Sequence, residues 1–162
     1  MKEEYYKTKA SVDEYINLAK EVNSAGLIEK LKKYLEPNAN VLEIGSGPGT
    51  DWRILKETFN VTGSDFSKEF LKHLTKENPK GTFLELDAIT LETDQKFDGI
   101  YANKVLHHLK DEALASSIKR QYGTLNSGGI ICHSFWKGEG DEIYKGMYVN
   151  YHTKESLKDF YK

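Results

Sequence analysis

The sequence predicts an α/β fold with a doubly wound, mostly parallel sheet, and three observations carry that prediction. Short apolar runs of strand character alternate with helix-like segments through most of the 162 residues. Strands separated by helices of this length imply right-handed crossovers, and so a parallel sheet covered on both faces. The turn after the first strand is also rich in glycine, reading Gly45-Ser46-Gly47-Pro48-Gly49-Thr50. A chain of this length holds one cooperative core, so a single domain is expected over 1–162. Within it, 1–36 reads as an N-terminal helical cap, 37–136 as the ligand-binding core, and 137–162 as a substrate-side segment with the start of a last helix.

Ser11 followed by Glu14 gives a capping box, and Val12, Tyr15, Ile16, Ala19 and Val22 recur at helical spacing, predicting a helix over 11–23. A second helix carries Leu27, Ile28, Leu31 and Leu35 on one face and stops before Pro37. Val41 to Ile44 is the first strand, and the runs 61–64, 82–86, 97–102 and 129–135 are the next four. Helices are predicted over 51–58, 67–76 and 111–125. Beyond the polar segment 137–146, Tyr144, Met147, Tyr148 and Tyr151 fall at helical spacing and are expected to share one packed face.

Charge narrows the partners. Twenty-three Lys and Arg against 25 Asp and Glu leave a net charge of -2, without the basic excess of a surface that tracks a nucleic-acid backbone. No run approaches the length needed to span a bilayer, and the charged first nine residues lack a signal peptide's apolar stretch. The single Cys132 lies in an apolar run, consistent with a reducing compartment, and a cytoplasmic location is expected. No His, Cys or carboxylate cluster has metal-ligand spacing.

In doubly wound sheets ligands bind beyond the carboxyl ends of the strands. Those positions are 45–50, 65–67, 87–88, 103–108 and Trp136. The alternate glycines 45, 47 and 49 let a ligand approach the backbone and permit a tight turn into a helix. Asp65 ends the second strand twenty positions after Gly45, where a carboxylate can accept both hydroxyls of a ribose. A dinucleotide site wants a small residue where Thr50 stands, and Pro48 removes an N–H that a pyrophosphate would use. Another adenosine cofactor is favoured.

The chain resembles the class I S-adenosylmethionine-dependent methyltransferases along most of its length. The resemblance lies in VLEIGSGPGTD at 41–51, VTGSDFS at 61–67, FLELDAITL at 83–91, FDGIYANKVLHHL at 97–109 and LNSGGIICHSFW at 125–136. It implies a Rossmann-like class I methyltransferase fold and S-adenosyl-L-methionine as cofactor. Carried over residue by residue, it implies that Gly45, Ser46, Gly47 and Gly49 line the methionine and ribose, and that Asp65 takes the ribose hydroxyls, with Ser67 beside it. Phe66 would lie on the adenine face, Asp87 would accept the adenine amino group, and the Ala88 N–H would reach a ring nitrogen. Asn103 and Lys104 would contact the amino-acid end, and Glu43 would order the glycine loop or meet the cofactor's ammonium. The family's sheet usually closes with an antiparallel hairpin after a helix. Here that hairpin is expected to be missing, as in a fragment or natural truncation, leaving the fifth strand as an edge through which a homodimer could form.

Methyl transfer from a sulfonium needs an aligned acceptor more than a dedicated nucleophile, and a base only where the acceptor must lose a proton. His107 and His108 are the candidate bases. The fourth-strand end, Tyr101-Ala102-Asn103-Lys104, lacks the Pro-Pro-aromatic signature that amino-methyltransferases of nucleic acids use on a flipped base, so a small-molecule acceptor is favoured. Tyr15, Trp136 and Tyr148 are the candidate acceptor-pocket residues. The alternatives are a module that binds the cofactor without transferring the methyl group, and an NAD(P)-binding oxidoreductase.

Overall fold

The computed structural model describes residues 25–161; the helix expected over 11–23, and with it Tyr15, lies outside the described residues. Helix α1 (Ala25–Lys32) leads into β1 (Asn40–Glu43), α2 (Thr50–Leu55), β2 (Asn60–Asp65), α3 (Lys68–Glu77), β3 (Thr82–Glu85) and β4 (Phe97–Ala102). A 3-10 turn at Leu106–His108, α4 (Asp111–Thr124) and β5 (Leu125–His133) follow. Strands β6 (Asp141–Tyr144) and β7 (Met147–Asn150) and helix α5 (Lys154–Phe160) complete the described chain.

The sheet is five-stranded, in the order β3-β2-β1-β4-β5, and every pairing is parallel. Its central strands are apolar on both faces because both faces are covered. Val41 and Tyr101 pack with Ile28, Leu31, Trp52 and Leu55 on the α1 and α2 side. Leu42 and Ile100 pack with Leu106, Leu114 and Ile118 on the other, the α4 side. Ser67 starts α3 as the sequence leads one to expect: its hydroxyl accepts the Phe70 N–H, satisfying an amide that has no partner within the helix. Among the described residues no helix is long and apolar enough to cross a membrane.

Two expectations are corrected. Strand β5 begins at Leu125 rather than 129, because Phe97 pairs with Leu125 before the register shifts to Gly99 with Ile130. Gly128, at φ +79°, supplies the left-handed residue within that bulge. The tyrosine-bearing segment, expected as one helical face, is instead an antiparallel hairpin with Tyr144 opposite Met147 and Ile143 opposite Tyr148. Lys145 and Gly146 both hold positive φ, 49° and 80°, and this two-residue turn with left-handed centres matches the twist of antiparallel strands. The hairpin forms its own two-stranded sheet and does not extend the main one, which among the described residues ends on β5 as expected.

Leu42 is fully buried at the centre of the sheet. Leu42→Ala should therefore lower the unfolding free energy by about 2–5 kcal/mol, read as a lower midpoint in urea at unchanged slope. A loss under about 0.5 kcal/mol would mean that this strand is not the core.

Candidate functional site

Strand β1 has β2 on one side and β4 on the other, so the chain leaves the sheet in opposite directions around it. A crevice opens at such a switch point, beyond the carboxyl ends of the strands. The loop from Gly45 to Gly49 fills this position, and its three glycines sit at φ +69°, +53° and +85°. A Cβ on Gly45 would stand 2.5 Å from a Val105 methyl, so backbone conformation and packing both demand glycine there.

Asp65 ties this loop to the neighbouring strand. One carboxylate oxygen accepts the Gly47 N–H at 2.9 Å and the other accepts the Ser67 N–H at 2.9 Å. The Ser46 N–H donates to the Ser64 carbonyl at 2.7 Å, and the Ser64 N–H donates to the Ser46 hydroxyl at 3.0 Å, closing the same seam. Phe66, next in the chain, is 43% exposed, an aromatic face open at the edge of the site. Asp87 follows β3; its carboxylate accepts the Ile89 N–H at 2.7 Å, while the Leu86 N–H reaches the Asp65 carbonyl. The Ala88 carbonyl accepts the Ser117 hydroxyl.

Glu43, the last residue of β1, is 3% exposed, and its Oε1 has no hydrogen-bond partner. Burial pushes its carboxyl up to about 8; a hydrogen bond to the Ser46 side chain opposes this, and the charges of Asp51 and Asp65 add to it.

At the end of β4 a second network forms around Asp51, which sequence reasoning passed over although it directly follows the glycine run. Its Oδ2 accepts the Tyr101 hydroxyl at 2.8 Å and the Asn103 amide at 3.1 Å. The Ser134 hydroxyl donates to Asn103 Oδ1 at 2.6 Å and accepts the Lys104 N–H at 2.8 Å. Lys104 holds φ +59°, a left-handed conformation that costs a non-glycine residue of order 1 kcal/mol. The Tyr101 phenol is held well above its ordinary range, by burial first and by the Asp51 charge second. Ser134 carries no sequence signal, because its role exists only through the β4–β5 pairing.

The two histidines separate in role. His107 is buried and stacks on Trp136, ring centroids 4.6 Å apart, with His108 at 4.0 Å on its other neighbour contact. His108 is half-buried, and its Nδ1 lies 2.7 Å from the Tyr148 carbonyl. A carbonyl only accepts, so Nδ1 carries the hydrogen of this bond. Trp136 is 36% exposed and meets Tyr144 edge-on at 6.0 Å. Tyr148 meets His108 through its carbonyl, and its hydroxyl donates to Asp141 at 2.9 Å.

Residues 41–129 match the family described as "Methyltransferase domain". A trans-aconitate 2-methyltransferase of Methylobacterium radiotolerans is 32% identical over 100 residues, covering 60% of this chain and 38% of that protein. The chain thus spans well under half the length of the curated relatives it matches. Among solved structures, the DhpI-SAH complex superposes with a TM-score of 0.77 at 20% identity, covering 98% of this chain and 84% of that one. The 1,6-didemethyltoxoflavin-N1-methyltransferase of Burkholderia thailandensis gives a TM-score of 0.64 at 25% identity, over 85% of this chain and 62% of that one. The five motifs, the parallel sheet with its glycine turn at the switch point, and these matches converge: the chain belongs to the methyltransferase-domain family, as its resemblance to the class I enzymes implied.

Proposed function

We propose that this chain binds S-adenosyl-L-methionine at the 43–67 seam and transfers its methyl group to a small-molecule acceptor. The observation that carries the reading is Asp65, whose two oxygens are fixed by the Gly47 and Ser67 amides at the mouth of the glycine turn. The residues fit the cofactor on their own chemistry: a buried acid with an unfilled oxygen suits a cation, and exposed Phe66 suits an adenine face. Glu43, Gly45, Ser46, Gly47 and Gly49 would hold its amino-acid end and sugar, with Asn103 and Lys104 opposite; Asp65 and Ser67 would hold the ribose; Phe66, Asp87 and Ala88 would hold the adenine. When bound, the cofactor supplies an electrophilic methyl on a sulfonium leaving group.

The chain's own part is positioning. The glycine turn brings backbone to the ligand, and the Asp51–Asn103–Ser134 network fixes the β4 end at the left-handed Lys104. Preset donors and acceptors of this kind remove orientational freedom before the reaction begins. Where the acceptor must lose a proton, His108 is the better placed base, because it is half-buried with its ring oriented by the Tyr148 carbonyl, while His107 is stacked and buried. Trp136, with Tyr144 and Tyr148 of the hairpin, would wall the acceptor side. The near-neutral charge supports a small molecule over a nucleic acid, as do similar proteins that are by name methyltransferases of trans-aconitate and of 1,6-didemethyltoxoflavin.

Two outcomes follow. Asp65→Ala should weaken binding of S-adenosylhomocysteine by about 100-fold in calorimetry, since two charge-assisted bonds are lost; unchanged affinity would sink the reading. Incubation with S-adenosylmethionine and a panel of small carboxylic acids, amines and heteroaromatics should release S-adenosylhomocysteine, with turnover cut by about 10-fold or more in Asn103→Ala. Binding without turnover on any acceptor would favour the module that holds the cofactor and transfers nothing.

A further inference from the structure

We infer that cofactor binding at this site is a proton exchange: the empty protein carries a hydrogen on the Glu43 carboxyl, and the cationic ammonium of the incoming cofactor displaces it to solvent. The inference rests on the proposed cofactor reading and adds to it the protonation state of the site. Glu43 stands at the end of β1, 3% exposed, with Oε1 unpartnered. An ionised carboxylate so placed would be a buried charge with one side-chain hydrogen bond and an unfilled oxygen, a state that burial disfavours against the neutral acid.

The charged groups around it include one cation, Arg53. Asp51 and Arg53 face it from α2, Asp65 from the end of β2 and Tyr101 from β4. Two of these are acids, and the Arg53 Nη1 is turned to the Pro48 carbonyl at 3.3 Å. Ser46 offers the side-chain hydrogen bond. Among the described residues Glu43 makes no salt bridge. Oε1 therefore lacks an ion-pair partner, and the rise of the carboxyl to about 8 keeps Glu43 itself uncharged near pH 7.

The balance is simple. The Glu43 O–H bond breaks, its proton passes to buffer, and the carboxylate left behind accepts from the ligand's ammonium, a charge-assisted bond that favours the ionised form. No other bond changes.

Calorimetry of S-adenosylhomocysteine binding at about pH 6.5, in buffers of different ionisation enthalpy, should show close to one proton released per ligand. Affinity should rise roughly tenfold per pH unit between about pH 5.5 and 7.5, because a proton leaves on binding. 5′-Methylthioadenosine, the same adenosine without the amino-acid tail, should bind with no proton release and no such slope. Glu43→Gln should abolish both the release and the slope for S-adenosylhomocysteine. Should that variant not fold, the two ligands on the natural chain decide the matter alone. The empty protein gives a second readout. A carboxyl raised on folding binds more protons folded than unfolded, so its stabilisation is full below the ordinary value of 4.5 and lost as pH rises through about 8. The melting temperature of the natural chain should fall across that window more than that of Glu43→Gln. Binding of S-adenosylhomocysteine with no proton exchanged would overturn the inference and leave the cofactor reading standing; no binding at any pH would end both.

Discussion

The geometry of the site depends on one carboxylate serving two backbone amides. Asp65 accepts from Gly47 on the β1 turn and from Ser67 at the start of α3, so a single side chain sets the distance between two strand ends. Three left-handed glycines make the turn flexible in the unfolded chain and therefore costly to fix. The clamp, with the reciprocal Ser46–Ser64 bonds, holds it in place. Much of the ordering that a ligand would otherwise impose is thus done by the fold, which is how pre-organisation raises affinity.

Three acids converge on this turn, and their surroundings give them different roles. Asp65 is held by two amides and Asp51 by a phenol and an amide, so each carboxylate has fixed partners. Glu43 has only Ser46, and its burial outweighs that bond. The same functional group becomes a clamp, a brace or a neutral reserve according to how many donors the fold brings to it.

The proposed acceptor side draws on more distant parts of the chain. Trp136 follows β5, His107 and His108 follow β4, and Tyr148 belongs to the hairpin, yet ring stacking and one bond to a carbonyl hold them together. Their spacing in sequence misleads, because intervals of three and four residues among Tyr144, Met147, Tyr148 and Tyr151 read as a helix. The Lys145–Gly146 turn, with both residues left-handed, overrides that pattern and makes strands. Gly146 was a visible signal for a turn, but a periodic run of aromatics outweighed it.

By itself the sequence determined the alternation of strands and helices, the glycine turn after β1, and the acid ending β2, because these depend on local pattern and on spacing within one βαβ unit. It also placed Asp51 in plain view beside the turn, without its use. The tertiary structure alone decided that Asp51 braces Tyr101 and Asn103 and that Ser134 anchors Lys104. It alone decided too that Glu43 is buried with an unfilled oxygen. Each of these arises between strands adjacent in the sheet but far apart in the chain, and desolvation and hydrogen-bond satisfaction are set by spatial neighbours that no local pattern encodes.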